Sequence, residues 1–308
     1  MTKKYVIMIV LFFIGAVSVS GVYVWHWEMR PNVLEVYPML SDTVISTFIR
    51  TPDNHTILID GGKTNGIMRL LTSHMPFYRR NIDTIVLTKN DDAHVGGLVD
   101  VVNRYHVGQV IEMVDMFTGP DSVSKLARLA STSTAYLELE KIIHDKKILN
   151  KKVAAGDTLL FEESVYGRVV GNIIFPPATT TRFIFSKTNM PQLALRIRYG
   201  GTSFLVGDLS KTEQKSIAST SLSTNIVANV LIFQHAGGSN TVAENFFTLV
   251  HPDYVVISKK QAAAQVSIVK KPKKPPFSIF NVSALHIINL ATDGTVEFIS
   301  DGAKVMRK

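Results

Sequence analysis

The chain has 308 residues, of which 46% are hydrophobic and 19% charged, and its formal net charge is +8 at pH 7. This length allows one large or two small domains, and this composition excludes a disordered chain and a membrane protein with many spans. Cysteine is absent, which excludes disulfides and a cysteine nucleophile, so a metal site has to use His, Asp or Glu. The positive charge favours anionic partners such as nucleic acid or lipid headgroups, although it is also typical of a soluble surface.

The N-terminal segment contains a long run without a charged residue, Tyr5 to Trp25, preceded by two lysines. About 20 apolar residues in a helix span a bilayer core, and lysines in front of the span favour an N-terminus in the cytoplasm. The alternative is a cleaved signal peptide, but the apolar region of such peptides is only about 7–15 residues long. We therefore predict a membrane anchor at 1–29, with a helix at about 5–25, and an extracytoplasmic body at 30–308.

The first part of the body is predicted to be rich in β-strands. The segments "NVLEVYPML", "TVISTFIRT" and "HTILIDGG" contain many β-branched residues, and "TPDNH" between the last two has turn chemistry. A helix follows at about Asn65 to Met75, because apolar residues recur there at helical spacing. The continuous apolar run Ile82–Thr88 predicts a strand buried on both faces, and a helix is expected from about Gly96 to Tyr105.

Residues Asp121 to Leu149 are predicted to be helical and partly amphipathic. Four of them are predicted to face inward: Leu126, Leu129, Leu137 and Ile142. Strand character returns from Lys152, and Tyr199–Gly201 is predicted to be a hairpin turn. The apolar segments "NVLIF" and "YVVIS" predict buried strands on either side of a helix near Thr241–Leu249. Asp293 and Gly294 are predicted to form a last hairpin turn.

Strand-rich and βα segments thus occur twice, with a helical insert between them. This order predicts an α/β fold in which two sheets pack together with helices outside, an αββα sandwich. The tract Val269–Phe277, "VKKPKKPPF", combines prolines with four lysines and is predicted to be an exposed basic loop. A dedicated nucleic-acid or lipid contact is the alternative for this tract.

Ionisable residues follow several of the predicted strands. They are Asp60 in "ILIDGG", then Lys89, Asp91, Asp92 and His94 in "TKNDDAHVGGL", Asp208 in "FLVGDLS", and Gln234, His235 and Ser239 in "QHAGGS". Side chains at several strand ends of one sandwich can converge on one pocket, and Asp and His are the ligands that a zinc or manganese ion requires. Two simpler explanations remain open, because Asp60 fits a turn and Asp208 fits a cap for a helix that begins at Ser210.

The order of these segments resembles the metallo-β-lactamase fold. The resemblance is closest to the hydrolase-like domain of the DNA-uptake competence protein ComEC and its stand-alone, membrane-anchored relatives. It covers about Val33 to Asp301 and is carried by "ILIDGG", "IDTIVLT…DDAHVGGL", "YGGTSFLVGD", "QHAGGSNT", "YVVIS" and "TDGTVEF", in family order. The combination of "LIDGG", "HVGGL" and "FLVGD" is specific, whereas each segment alone is weak.

The resemblance implies a metal-dependent hydrolase whose first metal motif falls on Lys89–His94. In that motif Lys89 stands where the family has a histidine, and Ala93 stands where it has a metal-binding aspartate. The residual metal-ligand candidates are Asp91, His94, Asp208 and His235. The other predicted pocket residues are Lys89, Asp92, Asp60, Gln234 and Ser239.

We predict that Lys89 replaces the metal ion electrostatically, because an ammonium group supplies the positive charge that buried carboxylates require. No cofactor is then expected, and the alternative is a single zinc or manganese ion. Three functions follow from these alternatives. The first is a non-catalytic binding protein for DNA or for a competence-channel partner at the membrane. The second is an active single-metal phosphodiesterase or nuclease, and the third is a structural envelope protein.

Overall fold

The computed structural model describes residues 3–28, 32–114, 133–176, 192–219, 226–233, 243–258 and 285–308. The chain divides into two compact units, Met1–Asn32 and Val33–Lys308, and we call the second unit the body. The first unit contains the helix α1, Lys3–Glu28. Within the part of the chain that the structure describes, no helix is long and apolar enough to cross a membrane.

The described strands of the body form two sheets. In the order of hydrogen bonding, the first sheet contains β15 (Val305–Arg307), β14 (Phe298–Ser300), β1 (Leu34–Ser41), β2 (Val44–Arg50), β3 (Thr56–Ile59), β4 (Asn81–Val86), β5 (His106–Met113) and β6 (Leu149–Val153). The second sheet contains β13 (His286–Asn289), β12 (Tyr254–Ile257), β11 (Val230–Ile232), β10 (Thr202–Val206), β9 (Ala194–Tyr199), β8 (Gly167–Phe175) and β7 (Thr158–Ser164).

The helices lie on the outer faces of the two sheets. They are α2 (Gly66–His74), α3 (Asp92–Arg104) and α4 (Thr134–Asp145) on the first sheet, and α5 (Lys211–Ala218) and α6 (Glu244–Val250) on the second, with the short α7 (Leu290–Asp293) between β13 and β14. Three apolar clusters hold these layers together. One lies between the sheets and includes Ile57 and Phe204, and the other two lie beneath the helices and include Leu98 and Phe246. The predicted arrangement of two packed sheets with helices outside is confirmed.

Several local predictions are also confirmed. Residues 51–55 connect β2 to β3, which pair antiparallel. The run at Ile82–Thr88 is almost entirely buried, since its side chains meet the outer helices on one face and the other sheet on the opposite face. The turn at Tyr199–Gly201 joins β9 to β10, and Gly200 takes the positive φ of 57° that a tight hairpin turn requires.

Three predictions are corrected. Helix α3 begins at Asp92 rather than near Gly96, because the side chain of Asp91 accepts a hydrogen bond from the backbone N–H of His94 and caps the helix four residues earlier. In α4 the buried residues are Tyr136, Leu139 and Ile143. Leu137, which was predicted to face inward, lies on the opposite side of this helix and is exposed.

The third correction concerns Asp293 and Gly294, which do not form a hairpin turn. Strand β13 pairs with β12 in the second sheet, whereas β14 pairs with β1 in the first sheet. The chain crosses from one sheet to the other through α7, which is capped by the side chain of Asn289. Leu126 and Leu129 lie outside the described residues, as does the basic tract Val269–Phe277.

The strands β3 to β6 run parallel, which gives the body two different ends. We call the end at which these strands finish the site end, and the end at which they begin the basal end. Strand β10 also finishes at the site end. The backbone N–H of Leu193 donates to the carbonyl of Thr88 at 2.7 Å, and Leu195 pairs with Val206. The polar residues after β3, β4 and β10 therefore lie at one end of the sandwich.

Candidate functional site at the site end

The site begins with a close contact between α3 and the loop that follows β3. The backbone N–H of Gly61 donates to the carbonyl of His94 at 2.8 Å, and that of Gly97 donates to the carbonyl of Gly62 at 2.9 Å. A Cβ atom on Gly97 would lie 2.3 Å from the carbonyl oxygen of Gly61 and 2.4 Å from that of Thr64. The glycines of "LIDGG" and "HVGGL" thus let backbone pack on backbone and hold the start of α3 over the end of β3.

Asp60 is buried at the end of β3 and holds the next strand end in place. Its carboxylate accepts the backbone N–H of Thr88 at 2.9 Å and the Thr88 hydroxyl at 2.6 Å. The residue has a positive φ of 57°, which turns the chain sharply before Gly61. Burial raises the pKa of the Asp60 carboxyl, although the positive charge of His94 and the Thr88 hydrogen bonds oppose this shift.

Asp91 lies between a lysine and a histidine. The Lys89 Nζ is 3.0 Å from one Asp91 oxygen, and the His94 Nδ1 donates to the other at 2.5 Å. The same oxygen also accepts the backbone N–H of His94 at 3.1 Å. Both carboxylate oxygens of Asp91 are therefore engaged with groups of this chain.

His94 is 1% exposed, and among the described residues its Nε2 has no hydrogen-bond partner. Burial alone would lower the pKa of His94, but the hydrogen bond to Asp91 and the charges of Asp60 and Asp91 outweigh burial and raise it. Burial would likewise raise the pKa of Asp91, but His94 and Lys89 outweigh it and hold that pKa well below its usual range. The favoured state is therefore an ion pair between an imidazolium and a carboxylate, with Lys89 as a second cation.

The remaining predicted residues take different positions. Asp92 is exposed, and its Oδ1 accepts the backbone N–H of Ala135 on α4 at 3.4 Å, away from Asp91. Asp208 is buried at the site end, two residues after β10. It is not the cap of α5, because Ser210 caps that helix in a capping box with Glu213. The structure thus brings Asp60, Lys89, Asp91 and His94 together and places Asp208 at the same end.

Two further residues of this site were not found by sequence reasoning. Glu213 is buried, which raises its pKa, and the charge of Lys89 lies close enough to oppose that shift. Thr88 supplies both hydrogen bonds to Asp60. The motif S-x-x-E that begins at Ser210 is typical of a capping box and could have indicated Glu213. No sequence motif indicates Thr88, apart from its position at the end of a strand. Gln234, His235 and Ser239 lie outside the described residues.

Among the described residues, the side chains around Asp91 are paired with one another. In the part of the chain that the structure describes, no group of three His, Asp or Glu side chains is arranged to hold a metal ion. Lys89 occupies one side of Asp91, His94 occupies the other, and Ala93 has no ligand atom. An ammonium group 3.0 Å from the carboxylate also repels a divalent cation at that position. Among the described residues, the buried Nε2 of His94 has no hydrogen-bond partner.

Solved structures of other proteins resemble the fold of this chain, although its sequence matches none of the families compared. No family model matches the chain, and no curated protein matches its sequence. A long form RNase Z from yeast matches with a TM-score of 0.50 at 10% identity, over 90% of this chain and 50% of that protein. CmlA, a diiron β-hydroxylase from Streptomyces venezuelae, matches with a TM-score of 0.46 at 17% identity, over 72% and 44%. YhfI, a metallo-β-lactamase fold protein from Bacillus subtilis, matches with a TM-score of 0.41 at 11% identity, over 73% and 85%.

The body has the metallo-β-lactamase fold. At these identities the similarity shows the fold alone, and the chain spans half of RNase Z and less than half of CmlA. The predicted fold is therefore confirmed, whereas the closer likeness to ComEC stays a prediction. Ligand sites of α/β proteins commonly lie beyond the carboxyl ends of the strands, which is where Asp60, Asp91 and Asp208 lie in this body.

Proposed function

We propose that this protein is a non-catalytic member of the metallo-β-lactamase fold, in which Lys89 replaces a metal ion and the pocket at the site end serves binding. The observation that carries the proposal is the engagement of both Asp91 oxygens, one by the Lys89 Nζ at 3.0 Å and the other by the His94 Nδ1 at 2.5 Å. A metal ion at Asp91 would have to displace one of these groups. The ammonium group supplies the countercharge, which leaves a folded pocket without metal.

The experiment is a measurement of the metal content of the full-length protein after dialysis, for the wild type and for a Lys89→His/Ala93→Asp variant. We expect no stoichiometric zinc or manganese in the wild type and at least one ion per chain in the variant, because the two substitutions restore the ligands that the resemblance predicts. A Lys147→His/Ala303→Asp variant makes the same chemical changes at exposed positions and is expected to bind none. Stoichiometric metal in the dialysed wild type would contradict the proposal.

A second candidate, an active single-metal hydrolase of the phosphodiesterase or nuclease type, is favoured by one observation. The buried Nε2 of His94 has no partner among the described residues, and a buried polar atom left unpaired is costly unless something binds it. A phosphodiesterase and nuclease assay on the same preparations separates the two candidates. Metal-dependent turnover by the wild type, lost in His94→Gln, would favour the hydrolase.

For the cellular role, we propose a membrane-anchored protein with an extracytoplasmic body that acts in DNA uptake or another envelope function. The support is the uncharged run Tyr5 to Trp25 behind two lysines, together with the resemblance to the ComEC domain. A DNA partner is tested by titrating a single-stranded oligonucleotide at several salt concentrations. Phosphate contacts predict a steep loss of affinity with salt, whereas a purely structural envelope protein predicts no binding at all.

A further inference from the structure

The basal end of the body carries two exposed apolar tips. The first tip is the loop between α2 and β4, where the ring centroids of Phe77 and Tyr78 are 5.6 Å apart and Phe77 is 76% exposed. The second tip is the turn between β7 and β8, where Val165 is 93% exposed and Tyr166 is 43% exposed. Large apolar side chains that lie together in solvent mark a surface that meets a partner.

Hydrogen bonds place both tips on one surface, because each is tied to the turn at residues 51–55. The Arg79 Nη2 donates to the carbonyl of Asn54 at 2.8 Å, next to the first tip. The backbone N–H of Asp53 donates to the Glu162 Oε2 at 3.0 Å, on the strand that leads to the second tip. The turn therefore lies between the two tips.

The first tip has a positive charge. Arg79 and Arg80 follow its aromatic residues directly, and Asp83 lies three residues further along, at the start of β4. Two arginines against one aspartate leave a charge of +1 at this tip. Arg104 and Asp100 on α3 form an ion pair at 3.8 Å and add no net charge.

The second tip has a negative charge. Its strand β7 contributes Glu162 and Glu163, β8 contributes Arg168, and the turn beside it contributes Asp53. Glu163 and Arg168 form a surface ion pair, so three carboxylates against one arginine leave a charge of −2. The His55 Nδ1 lies 3.5 Å from the Glu162 Oε2, and protonation of His55 still leaves a charge of −1. The two tips thus carry opposite charges, and each complements the other.

This pattern favours a second copy of the chain over a polyanion. The turn at residues 51–55 separates the two tips within one chain, so they meet only between chains. In a dimer with a two-fold axis, the first tip of one copy contacts the second tip of its partner, and this contact occurs twice. A nucleic acid or an anionic lipid surface complements only the first tip and is repelled by the second.

The basal end is also large enough for a stable dimer. Eight of the described strands form the first sheet, and strands about 4.8 Å apart make its end roughly 35 Å wide. Two sheets about 10 Å apart, with a helix layer of about 10 Å on each side, make this end roughly 30 Å deep. The resulting area is roughly 1,000 Å², whereas a stable complex buries about 800 Å² on each partner.

We infer that two copies of this chain associate through the basal end of the body, with the first tip of each copy on the second tip of the other. The turn at residues 51–55 lies near the two-fold axis of this dimer. The two site ends, with Lys89, Asp91 and His94, then point away from the interface. This inference goes beyond the proposed binding function and does not depend on it.

The first experiment measures the oligomeric state of the full-length protein in a non-ionic detergent by sedimentation velocity. We expect a dimer, and we expect Phe77→Ser/Val165→Ser to raise its dissociation constant at least about tenfold. Leu137→Ser/Leu160→Ser removes two exposed apolar side chains elsewhere on the body and is expected to leave the dissociation constant unchanged. A monomeric wild type, or equal dissociation constants for the two variants, would overturn the inference.

The second experiment uses charge reversal to test which tip meets which. In Arg80→Glu and in Asp53→Arg, both tips carry the same sign, so each variant alone is expected to be monomeric. In an equimolar mixture, Glu at position 80 of one chain faces Arg at position 53 of the other, and native mass spectrometry is expected to show the mixed dimer. Its formation also shows that both variants are folded.

The matched control reverses exposed charges away from the basal end. Lys63→Glu and Glu138→Arg are each expected to remain dimeric, alone and in a mixture. Dimers of Arg80→Glu as stable as those of the wild type would assign association to another surface of the chain and overturn the inference. Monomeric single variants that form no mixed dimer would overturn the pairing of the first tip with the second.

Discussion

Two clusters in the body each combine a buried group with a carboxylate and a lysine. In the cluster at the end of β5, Glu112 accepts the Tyr136 hydroxyl at 2.5 Å and the Asn150 Nδ2 at 2.6 Å, and pairs with the Lys152 Nζ at 2.7 Å. We call this the closed cluster. The cluster after β4 consists of Lys89, Asp91 and His94, and we call it the open cluster.

One difference between the clusters is whether every buried polar atom has a partner. Both oxygens of Glu112 are satisfied by its neighbours, so the closed cluster has the character of a structural network that links α4 to β5 and β6. In the open cluster the Nε2 of His94 is buried and, among the described residues, unpaired. Buried polar atoms are normally satisfied, so an exception of this kind is where function is expected. The comparison distinguishes a carboxylate–lysine pair inside a satisfied network from one that lies beside an unsatisfied buried group.

The largest expected effect tests the closed cluster. Glu112→Ala removes the acceptor for three donors in a buried position, and we expect a loss of about 3–5 kcal/mol in the free energy of unfolding. Glu140→Ala removes only the weaker second acceptor of the Tyr136 hydroxyl and is expected to cost less than about 1 kcal/mol. Both are measured by urea unfolding. A loss below about 1 kcal/mol for Glu112→Ala would contradict a structural role for the closed cluster.

The next effect depends on pH and tests the open cluster. The folded pKa of His94 is raised, so the stability gained from its pairing with Asp91 is fully present below the ordinary histidine pKa of about 6.5 and is lost as pH rises through the folded value. We expect His94→Gln to cost about 1.5–3 kcal/mol at acidic pH and less under alkaline conditions. Urea unfolding at several pH values checks this, with the exposed His106→Gln as control. A cost that grows with pH would show that His94 is neutral in the folded protein.

A third prediction concerns the packing that positions the open cluster. Gly97→Ala places a Cβ against two backbone carbonyls, which cannot move aside as a flexible side chain can. We expect a loss of about 1–3 kcal/mol in the free energy of unfolding. Gly66→Ala, whose new Cβ would meet nothing nearer than 3.5 Å, is expected to change stability by less than about 1 kcal/mol. Equal stability of the two variants would mean that α3 does not need its close approach to the loop after β3.

The smallest effect distinguishes the two lysines. Lys89 and Asp91 are both partly exposed, so Lys89→Met is expected to lower the free energy of unfolding by about 0.5 kcal/mol. Lys152→Met leaves Glu112 buried without its cation and is expected to cost more, about 1–3 kcal/mol. Thermal or urea unfolding of the two variants side by side measures the difference. A larger loss of stability for Lys89→Met than for Lys152→Met would indicate that the open cluster, rather than the closed cluster, has the structural role.

Much of the fold could be predicted from the sequence, because local patterns determine it. The apolar run at Ile82–Thr88 indicates a buried strand, and the glycines at the turn after Tyr199 indicate a hairpin. Prediction failed where the structure depends on pairing between strands that are distant in the sequence. Asp293 and Gly294 have the composition of a hairpin turn, yet the strands on either side belong to different sheets. In α4, apolar spacing alone suggested that Leu137 faces inward, whereas the side that meets the first sheet carries Leu139 and Ile143.

The sequence by itself determined which ionisable residues follow the strands and that Lys89 and Ala93 stand where the resemblance expects metal ligands. Only the tertiary structure decided that Lys89 and His94 each engage one oxygen of Asp91, and that Asp92 turns away to α4. The physical reason is that a strand end sets where a side chain starts, whereas its direction depends on the helix and loop that pack over it. In this chain α3 and the loop after β3 contact each other through glycine backbones, and the spacing of these glycines in the sequence does not reveal that contact.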